Sequence, residues 1–251
     1  MLLISGASGD AGHFDAAADV LATDYTVITF DRRGNSRSRS AGSTTLDQQA
    51  ADAAAMLRAL GRVPAIVFGT SGGAIIALRL ALRSPDVARH IIVHEPPFIQ
   101  ALPDAALLGA QFRVQLEQAL ATRGPHGAME LFIRENAGND VYDRLDPVLR
   151  ARMIANGPQF FGHELEMFMS WVPSVSELAG LRVPTTVVAG RDNRGNYHYR
   201  AAEWLARTLG VELHEIVGTH APYLAQPRDF VAALRPLLPT PAFASSSLDC
   251  R

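Results

Sequence analysis

Cysteine is nearly missing from this chain. Of 251 residues only Cys250 is a thiol, so no internal disulfide and no cysteine-based metal site can form. An excess of one charge is missing as well: 23 Lys and Arg stand against 25 Asp and Glu, for a formal net charge of −2. A balance that close offers no electrostatic footing for nucleic acid or an anionic membrane, and neither is expected as a partner. Long apolar runs are the third absence. The N-terminus has no basic segment and only Leu2-Leu3-Ile4 as an apolar stretch, unlike a secretory leader. The longest uncharged apolar stretches contain Gly, Ser and Thr and are broken by Arg79, so no membrane span is indicated. A cytoplasmic location is therefore the expectation. There is no internal repeat.

What is present, 48% apolar and 19% charged residues, is the composition of one large globular domain, or of one domain carrying an insertion. The most informative stretch is Ile66-Val67-Phe68-Gly69-Thr70-Ser71-Gly72-Gly73-Ala74. A β-branched and aromatic run ends in Gly-x-Ser-x-Gly and an apolar helical segment begins at once. That is the pattern of a nucleophile elbow, a serine on a sharp strand-to-helix turn with glycines where side chains would collide. By itself a five-residue match is a modest signal. Its value depends on a base, an acid and oxyanion donors elsewhere in the chain.

In chain order, Leu2-Leu3-Ile4 reads as a buried strand, followed by a loop with three glycines between Ser5 and Gly12. No Gly-Lys-Ser/Thr follows that loop, which argues against a phosphate site. A helix is expected over 14–21, a strand over 25–30, and then a polar loop, Asp31-Arg32-Arg33-Gly34-Asn35-Ser36-Arg37-Ser38, expected to be solvated. Leu46, Ala50, Ala53, Leu57 and Leu60 fall at helical spacing, and Gly61 signals the end of that helix. The helix after Ser71 is apolar nearly all round, with Arg79 and Arg83 placed on one exposed edge, and 90–93 is the next buried strand. Such alternation means a parallel sheet with crossover helices. The rhythm breaks over 98–178, where helical patterns appear at 105–120, 127–135, 146–154 and 162–171 and no strand is evident. This stretch is expected to be a cap inserted over the carboxyl ends of the strands. The core, 1–97 and 179–238, resumes with a strand over 184–190, a helix over 199–209, a strand over 212–217 and a helix over 226–237. From 239 to 251 the chain is expected to be disordered.

A serine hydroxyl is a poor nucleophile until a base takes its proton and fixed donors hold the oxyanion. Among eight histidines the base is expected at His220, in the loop between the last strand and the last helix. Two places compete for the acid. In the loop after strand 184–190 the customary position, three residues past Gly190, is Asn193, while Asp192 comes at two. At the end of the strand after the elbow helix the chain reads His94-Glu95-Pro96-Pro97, and Pro96 is expected to keep Glu95 extended. Glu95 is preferred as the acid, with Asp192 as the alternative. Oxyanion donors are expected at the Gly72 N–H and in the Gly6-Ala7 turn. Phe98, Trp171 and Tyr223 are candidates to line an apolar substrate pocket, although Trp171 could equally fill the interior of the cap.

Gly69-Thr70-Ser71-Gly72-Gly73, Gly218-Thr219-His220 and Ser5-Gly6-Ala7 together resemble the α/β-hydrolase superfamily across essentially the whole chain. Four places resemble the zearalenone-hydrolase type of lactonase within it: Thr29-Phe30-Asp31 through Gly34-Asn35-Ser36-Arg37-Ser38, the elbow, His94-Glu95-Pro96, and His220-Ala221-Pro222-Tyr223. The resemblance implies Ser71 as nucleophile, Glu95 as acid and His220 as base, with no cofactor or metal, acting on a small-molecule ester or lactone. The cap does not resemble that group's, so the substrate is not implied. The same residues could serve a carbon–carbon bond hydrolase or a cofactor-free haloperoxidase (perhydrolase), or a binding module that has lost catalysis. Members of the superfamily normally carry two further strands before the first one here. Their absence leaves strand 25–30 as an open edge where a homodimer could pair, unless the chain is truncated.

Overall fold

The computed structural model describes residues 1–40 and 42–239. Apart from Pro239, the tail expected to be disordered lies outside the described residues. Six strands, β1 (Leu2–Ile4), β2 (Ile28–Thr29), β3 (Ala65–Thr70), β4 (Ala88–His94), β5 (Thr185–Gly190) and β6 (Leu213–Ile216), form one sheet in the order β2-β1-β3-β4-β5-β6. All five pairings are parallel. Parallel strands covered on both faces read as unbroken apolar runs, and β3, with all six residues buried, shows why the sequence has them. The strand expected over 25–30 shrinks to two half-buried residues at the sheet edge, because only Ile28 and Thr29 reach a partner, β1.

Helix α1 (Asp15–Leu21) connects β1 to β2. Helices α2 (Leu46–Ala59) and α3 (Gly72–Arg83) connect β2 to β3 and β3 to β4. The first connection runs one way along the sheet and the next two run the other way. Right-handed crossovers therefore put α1 on one face and α2 and α3 on the opposite face. The ligand-binding crevice of such a sheet lies where the direction reverses, outside the carboxyl ends of β1 and β3. The Ser5–Gly12 loop and Ser71 leave the sheet at that point.

Helix α3 is the buried centre of the molecule. Ile75, Ile76, Leu78 and Leu80 are all 0% exposed, and truncating one of them to alanine would cost about 2–5 kcal/mol. Arg79 departs from the expected exposed edge: it pairs with Asp47 and lies over the Trp171 ring, while Arg83 stays exposed. Leu60 departs in the other direction. It is 53% exposed because α2 ends at Ala59, whereas Leu46, Ala50, Ala53 and Leu57 are buried as their spacing requires.

Between β4 and β5 the chain is helical among its described residues. Helix α4 (Ala105–Ala137) merges two of the expected helices across a kink at Gly124, whose φ of 63° and the following Pro125 break the regular turn. Its buried residues, Ala128, Met129, Ile133 and Ala137, all follow the kink. Next come α5 (Asn139–Arg144), α6 (Pro147–Ala155), α7 (Gly157–Gln159), a π turn (Phe160–Glu164), α8 (Leu165–Met169) and α9 (Val175–Ala179). Helix α10 (Tyr197–Leu209) joins β5 to β6, and α11 (Pro222–Ala225) and α12 (Pro227–Leu234) close the chain, with α12 packed on α1. Among the described residues no helix is long and apolar enough to cross a membrane.

Candidate active site

Ser71 sits at φ 53°, ψ −124°, a conformation that a residue with a side chain adopts only when its surroundings impose it. Glycines make the turn possible. A Cβ at Gly69 would lie 2.2 Å from the Gly73 carbonyl oxygen, and one at Gly73 would lie 2.1 Å from that of Ile4. The Ser71 N–H donates to the His94 carbonyl at 2.9 Å, which ties the elbow to the end of β4.

Beyond β4 the chain turns sharply at Glu95, and here an expectation fails. Glu95 is not extended before Pro96 but takes φ 46°. The strained turn buries its carboxylate completely, and three groups hold it there. Oε1 accepts from the Gly190 N–H at 2.9 Å, and Oε2 accepts from the Asn193 side-chain amide at 2.8 Å and lies 2.6 Å from His220 Nδ1. Burial alone would raise the pKa of Glu95. The hydrogen bond with His220, the charges of His94 and His220, and the Gly190 N–H together hold it below the ordinary value. Gly190 also admits the His220 loop, since a Cβ there would lie 2.4 Å from the Thr219 carbonyl oxygen.

Asp192, the alternative acid, is exposed, and its N–H donates to the Gly218 carbonyl. Its neighbour Asn193, in the customary acid position, is buried and serves as a donor to Glu95.

Ser71 and His220 line one cavity of about 40 Å³ together with Gly6, Ala7, Tyr223 and Phe132. Ser71 also lines a second cavity of about 30 Å³, with Ala7, Gly72, Phe132, Phe168 and His198. The Gly6-Ala7 turn and Gly72 thus flank the serine, as expected of oxyanion donors, and Gly72 opens a helix whose first N–H groups lack intrahelical acceptors. Tyr223 is in place, with burial pushing its hydroxyl up to about 12. Phe98 and Trp171 are not among the residues lining these cavities. Phe98 is fully buried edge-on to both Trp171 and Trp204, and the half-buried Trp171 lines a separate cavity with Asp47, Arg79 and His163.

Several residues reach the site that the sequence did not single out as site residues. His198 is buried and stacks on His220 with ring centroids 3.7 Å apart, and its Nδ1 finds no hydrogen-bond partner among the described residues. Burial, then the charges of His220 and His94, pushes it well below the ordinary histidine pKa. His94 lies behind His220, with Nδ1 2.8 Å from Thr70 Oγ1, and burial lowers it to about 4. His13 lines the cavity shared by Ser71 and His220, its Nε2 2.9 Å from Ser8 Oγ, and burial likewise lowers it to about 4. Phe132 reaches both cavities from the distant α4. The arginine-rich loop, expected to be solvated, is the largest departure: Arg32 and Asn35 are both 0% exposed.

Glu95, His198 and His220 also offer ligand atoms within 4.8 Å of one another. The nearest pair, however, is 2.6 Å apart, whereas two ligands on one tetrahedral zinc stand roughly 3.3 Å apart. That separation is a hydrogen-bond distance.

Known proteins carry the same architecture. In solved structures, an esterase from Thermogutta terrifontis superposes with a TM-score of 0.74 over 94% of this chain and 88% of its own, at 23% identity. An enol-lactonase from Burkholderia xenovorans LB400 does so with a TM-score of 0.74 over 94% and 89%, at 18% identity. At these identities the likeness is one of fold. In sequence, an uncharacterized hydrolase of Bacillus subtilis, YraK, is 30% identical over 246 residues, 95% of this chain and 88% of its own. A family profile described as "Alpha/beta hydrolase family" matches residues 1–234, the span that carries the elbow, the Glu95 turn and the His220 loop, and to that family the chain belongs.

Proposed function

We propose that the protein is a serine hydrolase that cleaves carboxylic esters or lactones through Ser71, His220 and Glu95, without a cofactor. The observation that carries this reading is the 2.6 Å contact between His220 Nδ1 and a fully buried Glu95, in a ring that lines the same cavity as the strained Ser71. The esterase and lactonase names of the structural neighbours agree with it.

Glu95, kept ionised, accepts a hydrogen bond from the His220 Nδ1–H, so His220 keeps a basic Nε2 for Ser71. Ser71 Oγ attacks the carbonyl carbon while its proton passes to Nε2. The oxyanion that forms rests on the N–H groups of Gly72 and of the Gly6-Ala7 turn. Collapse breaks the bond to the alkoxy oxygen, which leaves with the proton from Nε2. Water, deprotonated by the same nitrogen, then releases the acid from Ser71. The helical segment over 98–178 acts as the cap. The two cavities that Ser71 lines, of about 40 and 30 Å³, hold a few waters each, so the seated cap favours short acyl and alkoxy groups, and a macrocyclic lactone requires it to shift.

A fluorophosphonate probe tests the reading. The expected result is one covalent adduct on Ser71 in the folded protein, located by mass spectrometry and absent from Ser71→Ala. No adduct on Ser71 would overturn the proposal.

A further inference from the structure

The loop after β2 holds a charge that the proposed reaction does not use. Arg32 and Glu164 pair at 2.7 Å with both side chains 0% exposed. Glu164 belongs to the π turn of the cap, so the contact joins cap to core, and Asn35 adds a 2.7 Å hydrogen bond to the same carboxylate. A fully buried ion pair is a poor device for stability alone, because withdrawing both charges from water consumes most of what their attraction returns. Arg32 has further partners.

Its Nη1 and Nη2 donate to the two oxygens of Glu164 at 2.8 and 2.7 Å. Nε donates to the Ser5 carbonyl at 3.0 Å, and Nη2 donates also to the Gly6 carbonyl at 2.8 Å. These carbonyls belong to the peptide units whose N–H groups are those of Gly6 and Ala7. A trans peptide is planar, and its C=O and N–H point in opposite directions. Drawing both carbonyls onto one rigid guanidinium therefore turns the Gly6 and Ala7 N–H groups away from Arg32. Gly6 lies directly against Ser71, since a Cβ at Gly6 would fall 2.7 Å from that of Ser71, and Ala7 lines both cavities beside the serine. The cap braces the other donor as well. Phe168 lies 5.3 Å from the Arg32 guanidinium and packs so closely on Gly72 that a Cβ there would fall 2.7 Å from its ring.

We propose that Arg32, clamped by Glu164 of the cap, is a positioning residue for the oxyanion hole, so that transition-state stabilisation requires the cap to be seated. This rests on the serine-hydrolase reading above. Planar, bidentate geometry explains an arginine here: a lysine ammonium cannot span two carbonyls and both carboxylate oxygens. The rival role is a staple that only holds the cap in place.

Replacing both charges separates the two. Arg32→Met with Glu164→Leu leaves no buried charge unpaired, a change that commonly preserves or raises stability. Arg32→Lys, which keeps the pair charged, is the second variant. With p-nitrophenyl acetate, and with active sites counted by fluorophosphonate end-point titration, the double variant should lose about 10²-fold in kcat, the scale of a roughly 1 Å misplacement, with KM changed less than about threefold. An aryl trifluoromethyl ketone, whose hemiketal oxygen occupies the oxyanion position, should bind more weakly by a similar factor. Arg32→Lys should lose about tenfold in kcat, again at unchanged KM. Wild-type kcat in either folded variant, or a loss confined to KM, overturns the proposal. Failure of the serine-hydrolase reading looks different: the unmodified protein would carry no adduct on Ser71.

Discussion

The carboxyl ends of β4 and β5 are neighbours in the sheet, and each is followed by an acid within reach of the last-strand loop, yet the two acids meet opposite fates. Glu95 is fully buried and touches His220, Gly190 and Asn193. Asp192 is exposed, and its backbone N–H donates to the Gly218 carbonyl. The contrast shows that the place of a carboxylate along the chain matters less than its desolvation. A buried carboxylate with three fixed partners acts on the imidazole through a low dielectric, whereas an exposed one is screened by water. The position customary for the acid has not fallen idle: Asn193 donates its side-chain amide to the Glu95 carboxylate.

Breaking the buried side should have the largest effect. Glu95→Gln is expected to lower kcat by about 10⁴-fold with KM little changed, as when a triad acid loses its charge, and steady-state kinetics on an activated ester checks it. A retained rate would remove Glu95 from the mechanism.

The buried end should also betray itself through acid lability. His94 and His13 titrate near 4 when folded and near 6.5 when unfolded, so between those values the unfolded chain binds more protons. Stability is therefore full above about pH 6.5 and falls as the pH drops toward 4, by about 1.4 kcal/mol per pH unit for each histidine. Urea unfolding from pH 7 to pH 4.5 measures the slope, and His94→Gln should reduce it.

The comparison sharpens at its smallest scale in two adjacent residues. Asn193→Ala removes one hydrogen bond to a buried charge and should cost about tenfold in kcat. Asp192→Asn, one position earlier and exposed, should stay within about twofold, as surface substitutions usually do. Reversal of this order would return the acid to the loop after β5.

Much of the core was legible from local pattern. Hydrophobic runs at 2–4, 66–68 and 90–93, and helical spacing from Leu46 to Leu57, correspond to buried strands and a buried helix face. The pattern misled where it had no partner to consult. Leu60 continues a periodic stripe but lies past the helix end, and residues 25–30 look like a strand although only two of them find a neighbour. Phe98 and Trp171 were candidates for the pocket, but they meet edge-on away from the two cavities beside Ser71. The polar loop around Arg32 misled most. Its neutralising carboxylate is 132 residues away, and no local feature announces that pair.

The amino-acid sequence by itself determined the alternation of strands and helices, the turn at Ser71 and the loop that bears His220. These depend on short-range sterics: glycines at 69 and 73 where side chains would collide, and apolar periodicity that each segment carries within itself. The sequence already preferred Glu95 to Asp192; tertiary structure alone decided that a strained turn brings it to His220, that Asn193 supports it, and that Arg32 is buried between the Gly6-Ala7 turn and Glu164. A charge is stabilised by whatever lies within a few ångströms of it and by how much water is excluded, and both are set by residues far apart in the chain.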